Sequence, residues 1–239
     1  MKAIMAVYHS VRTLLRIQIG ATTKKESPHL GHPAMCALFL PLAGLAVGLA
    51  SMIAASLAAA LQMRYMPALA GLAVLAVLGG RKQATAALSI GNKDRALDAG
   101  SILFVSLAVI FLVVGLDELQ AVRGVDFMAL ALLFLPSIGS LAMVSAASVL
   151  TEPSVNTDIS SVKGLHLVFA AGLSLVLLLP AFGISGLAYM GLGVLAGSLT
   201  ALIGGRKEYR VELLYAAAAF AELAFILLLL VANNPVTQY

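Results

Sequence analysis

Apolar runs long enough to cross a bilayer recur from Met35 to Ala232, and very little charge interrupts them. Each such run restricts the fold. Backbone amides in hydrocarbon must be satisfied within the element itself, so only helices or a closed barrel will serve. The runs lack the alternation of apolar and polar residues that a barrel strand carries, and helices remain. Composition closes off the soluble alternative. The chain is 61% hydrophobic and 11% charged, whereas a soluble domain is about half apolar and about a quarter charged. The reading is an all-α polytopic membrane protein.

Seven spans are predicted: Met35–Leu61, Met66–Gly80, Gly100–Leu116, Phe127–Leu150, Leu165–Gly183, Ile184–Ile203 and Val211–Ala232. The second is the shortest. Its residues rise about 22 Å, against a hydrocarbon core of about 30 Å, so it is either re-entrant or extended by its flanks. Ahead of the spans, Ile4, Val7, Val11, Leu14 and Leu15 recur at helical spacing, with Lys2, Arg12 and Arg16 among them. That pattern predicts an amphipathic helix lying on the membrane rather than a secretory signal. Residues 1–34 thus form a cytoplasmic N-terminal segment and residues 35–239 a single transmembrane helical domain.

Basic residues orient the chain. With the N-terminus inside, Lys2, Arg12, Arg16, Lys24, Lys25, Arg81, Lys82, Lys93, Arg95, Lys163, Arg206, Lys207 and Arg210 share one side, and only Arg64 and Arg123 lie opposite. This bias predicts a cytoplasmic N-terminus and an external C-terminus in the inner (cytoplasmic) membrane. The net charge of +4 is a topology signal and does not imply nucleic-acid binding. The single cysteine, Cys36, excludes an internal disulfide. Gly44 with Gly48, and Gly193 with Gly197, form two G-x-x-x-G pairs that predict close helix packing.

Three polar features could carry chemistry. Between Gly79 and Gly100, Asp94 and Asp98 stand four apart and share a face if helical. Paired carboxylates of this kind can hold Mg2+ against phosphate oxygens, and Arg81, Lys82, Lys93 and Arg95 could neutralise the phosphates. The alternative is a solvated loop whose cations only set topology. Glu222 lies halfway along the last span, on one helical stripe with Glu208, Glu212, Tyr215 and Ala219. It is either functional or a protonated or hydrogen-bonded residue joining helices. His29 and His32 have ligand spacing but no third ligand nearby, and His166 stands at a span start.

The order of these features resembles the cobalamin synthase family, the adenosylcobinamide-GDP ribazoletransferases. Leu14-Leu15-Arg16-Ile17 resembles the family's early threonine-arginine-isoleucine-proline segment. The stretch Phe39-Leu40-Pro41-Leu42-Ala43-Gly44-Leu45-Ala46-Val47-Gly48 is similar to its F-P-L-x-G-x-x-x-G entry. Ala221-Glu222-Leu223-Ala224-Phe225 resembles its glycine-glutamate-leucine-x-phenylalanine, and Glu212 falls about where the family has an aspartate. Lys93-Asp94-Arg95-Ala96-Leu97-Asp98 resembles its arginine-aspartate-arginine segment.

The resemblance implies magnesium-dependent transfer of ribazole or its phosphate to a GDP-activated corrinoid at the cytoplasmic face. It implies catalytic Asp94 and Asp98, a metal site drawn from Asp94, Asp98 and Glu212, and substrate contacts from Arg81, Lys82, Lys93, Arg95 and Glu222. The chain departs from the family after Gly79-Gly80. There the family carries a histidine and several aspartates, and this chain carries Arg81, Lys82 and Gln83. Glu152, Asp158 and Glu208 are further acids on that side from which such a site could draw. Two other functions stay open: a non-catalytic relative serving as a binding protein or complex subunit, and a small transporter using Glu222. Expected partners are membrane lipid, a corrinoid nucleotide, and a membrane-protein partner or a second copy.

Overall fold

The computed structural model describes residues 38–80, 99–150, 162–203 and 211–233. Within them every regular element is helical: α1 (Leu40–Ala59), α2 (Met66–Leu75, continued by a π-helical turn over Ala76–Gly80), α3 (Ala99–Arg123), α4 (Val125–Val149), α5 (Gly164–Phe182), α6 (Ser185–Ile203) and α7 (Val211–Asn233). Five of these, α1, α4, α5, α6 and α7, are long and apolar enough to cross a membrane. The expected N-terminal amphipathic helix lies outside the described residues.

The elements follow from local chemistry. Pro41 and Pro67 stand in the first turns of α1 and α2, where a missing N–H costs no helical hydrogen bond. Gly124 separates α3 from α4 at φ 88°, and Gly183 ends α5 at φ 60°. Both angles lie in a region that side chains disfavour, so these tight reversals fall on glycine. The helix at the expected third span, α3, runs past its expected end at Leu116 to Arg123. Asp117 does not terminate it, because the carboxylate is buried against Arg64 at the helix's far end.

α4 is the hub. It packs against α1, α6, α7, α5 and α3, and 83% of its apolar window is buried. Both G-x-x-x-G pairs face it. A Cβ on Gly44 would fall on the Pro136 carbonyl, and one on Gly48 would lie 2.6 Å from Leu133 C. One on Gly197 would fall on the Ala142 carbonyl, and one on Gly193 would lie 3.3 Å from Leu141 Cδ2. The two pairs therefore hold α1 and α6 against opposite flanks of one helix. Lipid competes with side chains for apolar contact, so backbone approach and buried hydroxyls must supply the association. Ser145 supplies one such contact: its hydroxyl donates to the Val194 carbonyl at 2.7 Å and lies 2.9 Å from Ser198 Oγ.

One end of the bundle gathers the short turns. Arg64 bonds Asp117, Arg123 Nε donates to Asn233 Oδ1 at 2.8 Å, and the Phe127 and Phe182 rings meet edge-on at 6.2 Å. The α1–α2 turn, the α3–α4 turn, the end of α5 and the end of α7 thus share this turn end. Phe182 continues inward through Phe134, Tyr189 and Phe225, all in edge-on contact.

Candidate functional site

Glu222 is the one acid of the family resemblance whose side chain is among those described. It lies eleven residues from each end of α7, about 16 Å from either. The helix forms because its sequence is apolar and rich in leucine, which favours hydrocarbon, and in alanine, a strong helix former. Tyr215, Ala218, Ala221 and Phe225 are buried in the bundle, and Glu222 is half-buried on the same side. Its carboxyl turns onto α4 at Gly139. A Cβ there would fall on Glu222 Oε1 and lie 3.1 Å from its Cδ and 3.2 Å from its Cγ. Glycine at position 139 is what gives the carboxyl room, and Glu222 makes a polar interaction. An acid at this depth is costly unless protein or water receives it, and here it faces protein.

The remaining predicted site residues are not brought together by described geometry. Arg81, Lys82, Lys93, Asp94, Arg95 and Asp98 lie outside the described residues, as do Glu152, Asp158, Glu208, His29 and His32. Glu212 is in the first turn of α7, ten residues before Glu222, about 15 Å away along the axis. Among the described residues no group of three His, Cys, Asp or Glu side chains could hold a metal ion. The expected Mg2+ site therefore rests on the 81–98 segment with Glu212. His166 acts structurally, since its Nδ1 accepts the Lys163 backbone N–H at 2.9 Å and caps α5.

Sequence reasoning missed one ionic contact. Arg64, in the α1–α2 turn, approaches Asp117 Oδ2 with Nη2 at 3.0 Å and Nε at 3.1 Å. The hydrogen bond to Asp117, then its charge, raise the Arg64 pKa. The guanidinium also lies 5.0 Å over the Tyr65 ring, as Arg123 lies 5.8 Å over Phe127. The two cations assigned to one side by charge bias do occupy one end of the bundle. Their 59-residue separation in sequence hides this, and the only available signal was that shared charge bias.

Among the described residues, fold and site together define an all-helical protein with five helices long and apolar enough to cross a membrane and an acid turned inward at mid-helix. Comparison with protein-family models, characterised proteins and solved structures found no match to this chain.

Proposed function

We propose that this chain is a seven-span protein of the cobalamin synthase type in the inner membrane, with its N-terminus in the cytoplasm. On this reading it transfers ribazole or its phosphate to a GDP-activated corrinoid at the cytoplasmic face. The observation that carries the reading is the placement of Glu222. Of the acids the resemblance marks, it is the one with a described side chain, and it turns onto the hub helix instead of lipid. The seven helices and the clustering of Arg64 with Arg123 support the topology.

Departure of GMP requires charge neutralisation at the diphosphate. Asp94, Asp98 and Glu212 would hold Mg2+, and Arg81, Lys82, Lys93 and Arg95 would neutralise phosphate oxygens directly. Purified protein given Mg2+, a GDP-corrinoid and ribazole should release GMP, and Asp94→Ala should abolish the release. Release that is absent, or unchanged in Asp94→Ala, refutes the transferase.

A second reading is favoured by Arg81 and Lys82 standing where the family carries acids. It is a relative that binds the anionic nucleotide without turnover. Saturable binding of GDP-corrinoid without GMP release would establish it.

A further inference from the structure

Gly139 lies in the interior of α4, fourteen residues from Val125 and ten from Val149. Glycine weakens a helix there, since only proline forms one less well. Other glycines of the bundle are explained by tight packing between helices. A Cβ at Gly44, Gly48 or Gly197 would strike the backbone of α4, and one at Gly115 would strike Ile226. Gly139 differs. The backbone of α4 aside, the three atoms nearest a Cβ at this position are Oε1, Cδ and Cγ of Glu222, the last two at 3.1 and 3.2 Å. Among the described glycines it is the one that faces an ionisable side chain.

This difference decides what Gly139→Ala displaces. At Gly48 the obstacle is backbone, so a helix must retreat. At Gly139 it is the far end of a flexible side chain, which can turn about its own bonds while α7 stays in place. The carboxyl must then shift by roughly 1 Å to reach an ordinary contact distance. A hydrogen bond lengthened by that much is lost. Gly139 therefore matters little for holding α4 against α7 and much for where the carboxyl sits. Glutamate has several rotatable bonds, and a group that receives a substrate works best when packing has already fixed its rotamer.

We propose that Gly139 is a positioning residue: the notch left by its missing side chain seats the Glu222 carboxyl where substrate meets it. The inference rests on the transferase reading, in which Glu222 contacts substrate. It adds a second residue, on a second helix, whose only part in that contact is to leave room.

The test uses the full chain in mild detergent. Gly139→Ala should melt no more than about 2 °C below wild type, because the side chain moves and the helices do not. Glu222→Ala identifies the substrate concerned, as the GDP-corrinoid or ribazole whose KM it raises. Gly139→Ala should raise the same KM about tenfold, the loss of one hydrogen bond to a charged group, with kcat within about twofold of wild type. The double variant should be no worse than Glu222→Ala, whereas independent effects would multiply to about a hundredfold. Infrared difference spectra give a readout without turnover: the carboxyl band lost in Glu222→Ala should shift in Gly139→Ala. A melting drop of about 6 °C or more, an unshifted band, an unchanged KM, or effects that multiply would each overturn the proposal. If wild type releases no GMP, but Gly139→Ala shifts the band and weakens equilibrium binding of GDP-corrinoid about tenfold, the transferase falls and the positioning role stands.

Discussion

Gly48→Ala tests the packing of α1 on its hub most sharply. The added methyl would meet backbone, lying 2.6 Å from Leu133 C and 2.9 Å from Leu133 Cα. Carbon atoms rest at about 3.5–4.0 Å, so α1 must retreat by roughly 1 Å. Backbone cannot rotate away as a side chain can, and the retreat also loosens Gly44 from Pro136 and Ser140. The cost falls at the upper end of overpacking, about 3 kcal/mol. For a chain of this length each kcal/mol moves the midpoint by about 2–4 °C, giving a drop of roughly 6–12 °C. The assay is thermal loss of helical circular dichroism in mild detergent. Gly172→Ala and Gly191→Ala are the controls, since a Cβ at either meets nothing within 4 Å. Gly48→Ala melting within about 2 °C of these controls would refute the hub account.

Two further outcomes follow from the same geometry. Phe225 is fully buried and meets Phe182 and Tyr189 edge-on, so Phe225→Ala should destabilise by about 3–5 kcal/mol in the same melts. Arg64→Ala should make the α1–α2 turn more sensitive to protease than Arg64→Lys does, because it leaves the buried Asp117 carboxylate without its guanidinium. Asp117 raises the Arg64 pKa, so this contribution is fully present below the ordinary arginine range and lost only as pH rises through the raised value. Protease sensitivity of the wild-type turn should therefore stay flat from neutral to mildly alkaline pH, and a rise there would contradict the pairing.

Much of the helix order was legible because apolar length and turn chemistry are local properties. The helices expected at the fourth and fifth spans start and stop within about two residues of the sequence expectation, and those at the second and sixth start where it placed them to within about one residue. The third did not stop at Leu116, since a buried Asp117 balanced by Arg64 reads, in one dimension, as a polar boundary. The G-x-x-x-G pairs announced close approach but could not name their partner. Both turned out to address α4, a fact that depends on tertiary arrangement. Glu222 was visible as an acid in an apolar run, but Gly139, the residue that makes space for it, looked like any other glycine in a helix. Chemistry assigned to the 81–98 segment lies outside the described residues, so the roles of Asp94 and Asp98 rest on sequence alone.

Every functional assignment to the 81–98 segment and Glu212 places them on the cytoplasmic side, which requires seven crossings and opposite termini. Fusing a reporter to the C-terminus of the full chain, active only outside the cytoplasmic membrane, measures this directly. With the N-terminus independently located inside, the account predicts an active C-terminal alkaline phosphatase and a dark fluorescent protein at the same site. A fluorescent fusion with inactive phosphatase would mean an even number of crossings and would contradict it.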